Sequence, residues 1–329
     1  MYQPDTYIVT LCFMLISMLC WGSWANTVKL CPGYRFQLFY WDYVIGLFLG
    51  VLAWGATLGS IGSHGQHFFA ALGQTGTANI GFALLGGVIF NVANLMLVAA
   101  IDIAGLAVAF PVGIGVALVI GAVSSYLISP AGNRLLLFGG IALVVAAILL
   151  DAAAYRLRET EKLAMSKRGV ILSVVSGILM GTFYPFVAKA MKGPGATGPY
   201  AIAFFFVLGV AICALPANYF FMRRPLDGRQ PVAMAGYFSS PRIWHLWGIL
   251  GGIIWCSGAV FNFVASRSQI VGPAVSYSIG QGATMISAFW GIFVWREFSN
   301  APHKAKVLLA IMILFFLAGL TALALAPIL

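Results

Sequence analysis

Residues 20–43 read CWGSWANTVKLCPGYRFQLFYWDY and decide how the rest of the chain is interpreted. The stretch ends one apolar run, turns at Pro32 and Gly33, and opens a second apolar run. That second run carries the carboxylate of Asp42 between two aromatic residues. Two apolar runs joined by a short turn predict two membrane-spanning helices, with one acidic side chain inside the second.

The composition extends this prediction to the whole chain. Of its 329 residues, 61% are hydrophobic and 8% are charged, and the mean hydropathy is +0.98. A soluble domain of this size needs far more charge on its surface. Within lipid only helices and closed barrels satisfy every backbone polar group, and these apolar runs are too long and continuous for barrel strands. We therefore predict an all-α polytopic membrane protein.

The basic residues predict an orientation and argue against a nucleic-acid partner. The net charge is +10, but the 18 lysines and arginines lie between apolar runs and form no single patch. When loops are assigned to alternate sides, 14 of the 18 fall on one side. The positive-inside rule places that side in the cytoplasm and both termini outside. The expected location is an inner (plasma) membrane, of bacterial type, with lipid as the surrounding partner.

Ten apolar runs are long enough to span the membrane as helices. They are residues 8–28, 38–58, 80–101, 103–128, 135–155, 169–190, 200–222, 246–266, 272–295 and 306–326. The first run has no basic leader and no clear cleavage site, so we interpret it as a span and not as a signal peptide. The loops between runs are too short to bury a core of their own.

The two halves of the chain contain three similar runs in the same order. The pairs are SMLCWGSWANTVK (17–29) with SGILMGTFYPFVAK (176–189), LGGVIF (85–90) with LGGIIW (250–255), and GLAVAFPVGIG (105–115) with GPAVSYSIGQG (272–282). Five spans in each half put the second copy upside down relative to the first. We predict two inverted five-helix repeats, residues 1–155 and 169–329, joined by a cytoplasmic linker at 156–168. Such repeats are typical of transporters, whose substrate site lies at the repeat interface.

Asp42 is the candidate proton-coupling residue. A carboxylate inside a membrane span is costly and tends to face an aqueous cavity, where it can bind a proton or an ion. The alternative is a helix-start carboxylate at the membrane interface, stabilised by the helix dipole and by Arg35. The other acids, Asp102, Asp151 and Glu297, lie near span ends, where hydrated charges are expected.

Neutral polar and aromatic side chains inside the spans form a candidate substrate site, because amides pair with a polar solute and aromatic faces stack on it. The alternative for each amide is hydrogen bonding between helices, and for Lys29 it is contact with lipid headgroups. Trp21, Phe183 and Trp290 are further aromatic candidates for the pocket walls. The predicted substrate-binding set is Trp24, Asn26, Lys29, Trp41, Tyr43, Asn91, Asn94, Phe110, Tyr184, Trp255, Asn262, Tyr277 and Gln281.

No motif for soluble catalysis is present in the sequence. The chain has no phosphate-binding G-x-x-x-x-G-K-[ST], no H-E-x-x-H and no G-x-S-x-G. The five cysteines are scattered without metal-ligand spacing, so we expect free thiols. We predict no enzyme activity, no cofactor and no metal, which leaves coupling to an ion gradient or simple exchange.

The runs CWGSWANTVK and FYWDYVIG, together with the two five-span halves, resemble the drug/metabolite transporter superfamily. They are similar to its branch of glucose/ribose porters, L-rhamnose/proton symporters and plant ureide permeases. This resemblance implies uptake of a small polar solute with protons, and it implies that Asn26, Lys29, Asp42 and Tyr43 lie near the pathway. The first span lacks the acidic residue that small multidrug exporters of this superfamily use.

The leading hypothesis is a secondary active transporter that takes up a monosaccharide by proton symport with alternating access. One alternative within transport is a nucleobase or ureide permease, and another is an exporter of drug-like metabolites. A non-transporting membrane receptor or scaffold is the alternative from a different class. It requires a soluble or long partner-binding loop, and the sequence contains none.

Overall fold

A computed structural model describes residues 1–104, 106–158, 166–225, 229–268 and 270–329, and within these ranges the chain is helical without strands. Residues 159–165, most of the predicted linker, and the side chain of Asp102 lie outside the described residues. The helices are α1 (Tyr7–Ser23), α2 (Asn26–Lys29), α3 (Phe36–Ala56), α4 (Phe68–Gln74), α5 (Thr77–Ala104), α6 (Leu106–Ile128), α7 (Arg134–Arg158), α8 (Lys167–Ala190), α9 (Pro199–Arg223), α10 (Ala235–Phe238), α11 (Arg242–Arg267), α12 (Pro273–Gly280), α13 (Ala283–Phe289), a π-helix (Trp290–Val294) and α14 (His303–Leu325).

Nine helical segments of the described chain are long and apolar enough to cross a membrane. They coincide with nine of the ten predicted runs, and α1 and α2 together form the first of them. The chain is therefore a multi-pass integral membrane protein. The predicted span 272–295 is not one continuous helix: it is divided into α12, α13 and the π-helix, with a break at Gln281.

The break at Gln281 has a cause in the sequence. Gly280 and Gly282 flank Gln281, and glycine is among the poorest helix formers. A Cβ on Gly280 would collide with the ring of Trp21, so this position also requires glycine for close packing. Interrupted helices occur at membrane depth only where they are buried in protein or line a cavity.

The helices of the two halves pack on one another and not only within each half. α5 packs mainly on α8 and α9, while α3 packs mainly on α11 and α9. The closest approaches use matched glycines: a Cβ on Gly87 would meet the carbonyl oxygen of Phe206, and one on Gly252 would meet that of Tyr43. Close packing at small residues is a main source of helix association in lipid.

The two ends of the bundle differ. Lys29, Arg158 and Glu297 meet at one end, which we call the basic face. Both termini lie at the other end, the terminal face: the ammonium of Met1 donates to the carbonyl of His64 at 2.8 Å, and the amide of Asn133 donates to the carbonyl of Ala326 at 2.7 Å. The chain therefore begins and ends on the same side of the bundle.

Candidate functional site

A central cavity of ≈ 130 Å³ lies among α1, α5, α6, α8, α11 and α13. Its lining is largely aromatic and aliphatic, with a few amides and hydroxyls, and none of the described residues that line it is charged. The lining residues are Trp21, Gly22, Trp24, Ala25, Phe90, Asn94, Leu97, Phe110, Ile114, Met180, Phe183, Trp255, Gln281, Ala283, Thr284 and Ser287. This composition suits a small neutral solute with both an apolar face and a polar edge.

Aromatic rings build one wall of the cavity. The rings of Phe90 and Trp255 have centroids 4.3 Å apart, and Trp21 stacks on Trp255 at 5.9 Å. Phe183 meets Phe90 edge-on at 5.3 Å. Because these rings come from α1, α5, α8 and α11, they fix one another and present a rigid surface to a solute.

Two residues that line the cavity each carry a buried N–H donor with no hydrogen-bond partner among the described residues. The two donors are the indole Nε1 of Trp21 and the amide Nδ2 of Asn94. A buried donor left unpaired costs about 1–3 kcal/mol, so such groups persist where a ligand or water pairs with them. The cavity is therefore equipped to bind the acceptor oxygens of a solute.

The residues that line the cavity come from both halves of the chain. Four pairs of lining residues occupy matched positions in the runs that the two halves share. The pairs are Trp21 with Met180, Trp24 with Phe183, Phe90 with Trp255, and Ile114 with Gln281. Each matched run thus contributes to one cavity from both halves.

The structure brings five of the predicted substrate-binding residues to the cavity: Trp24, Asn94, Phe110, Trp255 and Gln281. Trp21 and Phe183, predicted as further wall residues, also line it, but Trp290 does not and donates instead to Ser23. The remaining members of the predicted set lie elsewhere in the bundle. Phe90 was not among the predicted site residues, although its match with Trp255 is the sequence signal that identifies it.

Asn262, Tyr184 and Tyr277 belong to a buried network next to the cavity. The hydroxyl of Tyr184 donates to Oδ1 of Asn262 at 2.5 Å. Nδ2 of Asn262 donates to Ser17 Oγ at 3.1 Å and to the Ser276 carbonyl at 3.0 Å, while the hydroxyl of Tyr277 donates to backbone carbonyls of α6 and α8. These contacts join α1, α6, α8, α11 and α12, so the three side chains hold the helices together.

Trp41, Tyr43 and Asn91 are not among the residues that line the cavity. Trp41 donates to the sulfur of Met222 on α9 at 3.4 Å. Tyr43 is fully buried against Trp24, with ring centroids 5.0 Å apart. Asn91 accepts a hydrogen bond from Tyr40 at 2.8 Å. Of the residues in these contacts, only Trp24 lines the cavity.

Asp42 is the seventh residue of α3, two residues deeper in the helix than the predicted start of the span placed it. It is 1% exposed. Its Oδ1 accepts from the Tyr237 hydroxyl at 2.6 Å, and its Oδ2 accepts from Tyr34 at 3.1 Å and lies 2.9 Å from Nδ1 of His245. One partner of Asp42 is therefore His245 of α11, a pairing that was not predicted from the sequence.

The Asp42 cluster lies between the central cavity and the basic face. Burial raises the pKa of both Tyr34 and Tyr237 above the ordinary value, and the charge of Asp42 and its hydrogen bonds to the two hydroxyls raise it further, so both phenols remain protonated donors at neutral pH. When Asp42 is ionised its carboxylate can only accept hydrogen bonds, and Nδ1 of His245 then carries the hydrogen that faces it. Neither Asp42 nor His245 lines the central cavity.

Lys29 and Asn26 form contacts at the basic face and not in the cavity. Lys29 Nζ lies 2.5 Å from Oε1 of Glu297, and Asn26 accepts a hydrogen bond from Trp295 at 2.6 Å. Arg158 adds a contact of 3.0 Å to Oε2 of Glu297. We call Lys29, Arg158, Glu297 and Tyr155 the ionic cluster, which joins α2 and α7 to the segment that follows the π-helix.

Glu297 stays ionised in this cluster. Burial acts to raise the pKa of its carboxyl, but the hydrogen bond and charge of Lys29, the Tyr155 hydroxyl and the Arg158 guanidinium outweigh burial and hold that pKa below its usual range. The prediction that Glu297 is a hydrated end charge is wrong, because the side chain is only 19% exposed and is held from two helices.

A second cavity of ≈ 530 Å³ lies at the terminal face. Gln3, Lys192 and Arg267 are among its lining residues. Arg267 Nη1 donates to the carbonyls of Met191 at 2.5 Å and Thr197 at 3.0 Å, which fixes the connection between α8 and α9. The bundle thus has a wide polar recess on one side of the central cavity and a closed ionic cluster on the other.

These features define an integral helical membrane protein with a solute-sized cavity between its two halves. The chain belongs to the family described as Sugar transport protein, whose model matches residues 12–326. It is therefore a membrane transporter. Ureide permease 1 and ureide permease 2 of Arabidopsis thaliana are 23% and 24% identical to it, each over 98% of both chains. A crystal structure with 14% identity matches 94% of this chain and 96% of its own at a TM-score of 0.63, which shows a shared fold.

Proposed function

We propose that this transporter takes up a small polar solute, a monosaccharide, by proton symport, and that the solute binds in the central cavity. The observation that carries the proposal is the pair of unpaired donors, Trp21 Nε1 and Asn94 Nδ2, beside an aromatic wall. A sugar ring has an apolar face that stacks on aromatic rings and hydroxyl oxygens that accept hydrogen bonds. The uncharged lining agrees with a neutral solute.

A ureide or nucleobase is the second candidate solute. Two relatives that cover the whole chain are named ureide permeases, and a planar urea or amide presents carbonyl oxygens to the same two donors. An exporter of drug-like metabolites is the third. The first two candidates are equally compatible with the cavity, so the assay must include both classes of solute.

The proposed architecture is ten spans in two inverted repeats, 1–155 and 169–329, with the broken segment of α12, α13 and the π-helix as the ninth span. The matched contacts support it: Gly87 of α5 approaches α9 as Gly252 of α11 approaches α3. The matched residues around the cavity support it as well. The proposed location is a bacterial inner membrane, with the basic face in the cytoplasm and both termini outside.

The proposed coupling group is Asp42, acting together with His245. The pair is buried, and the aromatic contact between Tyr43 and Trp24 connects the neighbourhood of Asp42 to the cavity wall. A change in the protonation of this pair alters the forces between α3 and α11, which carry Asp42 and His245. Rearrangement of these two helices is the proposed link between proton binding and access to the cavity.

Uptake into proteoliposomes tests the proposal. Labelled monosaccharides, ureides and nucleobases are supplied one at a time, with and without an inward proton gradient. The proposal predicts that one neutral solute accumulates above its equilibrium level only when the gradient is present. Equal uptake in both conditions would remove the coupling, and accumulation of ureides but not sugars would replace the monosaccharide by the second candidate.

A further inference from the structure

Asp151 is a buried carboxyl that neither the cavity nor the Asp42 cluster uses. It lies on α7 and is 8% exposed. Its Oδ1 is buried and makes no hydrogen bond to any described residue. The prediction that Asp151 is a hydrated charge at a span end is therefore wrong, and its burial needs another explanation.

Among the described residues of α6, α7, α14 and the ionic cluster, no basic side chain pairs with Asp151. Along α7, Tyr155 lies one turn after Asp151 and donates to Oε2 of Glu297 at 3.0 Å. Arg158 and Lys29, the nearest basic groups of the ionic cluster, are both bound to Glu297. α6 presents only Tyr126 as a titratable side chain, and Tyr126 accepts from Arg134 at the opposite end of α7. The basic residues of α14, in its first two turns, are exposed.

Asp151 lies at the depth of the central cavity. Tyr155 faces Gly291 of the π-helix, where a Cβ would lie 2.8 Å from the Tyr155 hydroxyl. Further toward the basic face, Arg158 contacts Glu297. Therefore α7 and the segment from Gly291 to Glu297 run in the same direction. One turn back from Tyr155 is Asp151, and one turn back from Gly291 is Ser287, which lines the cavity. Asp151 thus lies at the depth of Ser287, one helical turn from the Tyr155 side of the ionic cluster.

A buried carboxylate without a cation or hydrogen-bond donors is strongly unfavourable in a membrane protein, whereas the neutral acid is tolerated. An ionised Asp151 would also repel Glu297 and draw Lys29 and Arg158 away from it. The closed ionic cluster and a protonated Asp151 therefore stabilise each other. Opening of the cluster would admit water and free two cations, both of which favour loss of the proton.

We infer that Asp151 is a proton-binding carboxyl that exchanges its proton at the basic face when the ionic cluster separates. The proton-binding claim stands on the burial of Asp151 and on its buried Oδ1, which has no hydrogen-bond partner among the described residues. Only its place in a transport cycle rests on the proposed function. The inference adds a second proton site to the one proposed at Asp42, and it makes the ionic cluster the barrier between that site and water.

Infrared spectroscopy of the purified protein in lipid nanodiscs tests the inference without measuring transport. The C=O stretch of a neutral carboxyl is recorded at neutral pH for the wild type, Asp151→Asn and the matched variant Asp42→Asn. The expected result is a component of this band that is present in the wild type and in Asp42→Asn and is lost in Asp151→Asn; a neutral Asp42 would give a separate component that only Asp42→Asn removes. No band in the wild type, which means an ionised Asp151, or a band whose intensity is unchanged in Asp151→Asn would overturn the inference.

A second measurement does not use Asp151→Asn and therefore remains possible if that variant does not fold. After transfer to heavy water, the same band shifts at the rate at which the Asp151 proton exchanges with solvent. In Lys29→Met the ionic cluster loses one charge-assisted hydrogen bond, and the shift is expected to be about tenfold faster than in the wild type. An unchanged rate would contradict the claim that the cluster separates Asp151 from water. Failure of solute uptake would leave both spectroscopic outcomes intact and would count only against the proposed function.

Discussion

Phe90 and Trp255 meet in the wall of the central cavity with ring centroids 4.3 Å apart. They occupy the last positions of the matched runs LGGVIF and LGGIIW, one in each half of the chain. A sequence match therefore becomes a spatial contact at the proposed binding site. The first prediction concerns the polar groups beside this contact.

Replacement of Asn94 by leucine is expected to weaken solute binding about tenfold and to leave stability nearly unchanged. Its Nδ2 has no partner within the described protein, so the substitution breaks no internal bond made by that atom. The factor corresponds to one hydrogen bond to the solute. Binding is measured by tryptophan fluorescence and stability by thermal unfolding in detergent.

Asn262→Leu is the matched control for Asn94→Leu. Its side chain joins Tyr184, Ser17 and Ser276, so its loss is expected to cost ~3 kcal/mol of stability. If Asn94→Leu destabilised the protein as much as Asn262→Leu, Asn94 would be part of the packing and not a binding residue.

Replacement of Asp42 by asparagine or of His245 by glutamine is expected to abolish accumulation driven by a proton gradient while sparing solute exchange. Either change removes one partner of the buried pair that the proposal uses for coupling. His67→Gln is the control, because His67 is exposed at the terminal face and far from the pair. Gradient-driven uptake and counterflow in proteoliposomes separate the two activities, and normal accumulation in Asp42→Asn would exclude the coupling role.

The ionic cluster is expected to stay closed from about pH 8 to about pH 5, above the ordinary pKa of a glutamate. The pKa of Glu297 is held below that range, so the stabilisation is complete at neutral pH and is lost only as the pH falls through the lowered value. Fluorophores introduced as noncanonical residues at Leu30 and Asn300 report the separation. A distance that increases between pH 8 and pH 6 in the absence of solute would contradict this prediction.

Gly87→Ala is expected to destabilise the protein by ~1–3 kcal/mol, because its Cβ would meet the carbonyl of Phe206 and push α5 away from α9. Gly139→Ala is the matched control: it also lies inside a long helix, but a Cβ there meets nothing within 4 Å. Thermal unfolding in the same detergent compares the two. Equal midpoints for both variants would show that the close approach at Gly87 is not required.

The sequence was sufficient to predict the helical membrane class and most span positions, because apolar length and backbone satisfaction determine both. It also identified Trp24, Asn94, Phe110, Trp255 and Gln281, which line the cavity. It did not predict the break at Gln281, since composition alone reads an apolar run with glycines as continuous. Matched positions in the two halves were the signal that singles out residues near the central cavity.

Pairs of charged residues that are far apart in the chain could not be predicted from the sequence, for a physical reason. Asp42 and His245 are far apart in the chain, as are Lys29 and Glu297. The hydrophobic pattern of a helix does not indicate which other helices it contacts. Each charge could therefore be interpreted as a hydrated end. Only the packing shows that Glu297 is held by two basic residues while Asp151 is held by none within the described part of the chain.

A structure with the transported solute bound is the most direct test of the central claim. The account predicts that the solute lies against the ring of Trp255, with acceptor oxygens within hydrogen-bond distance of Trp21 Nε1 and Asn94 Nδ2. A solute bound in another cavity, with these two donors still unpaired, would contradict it.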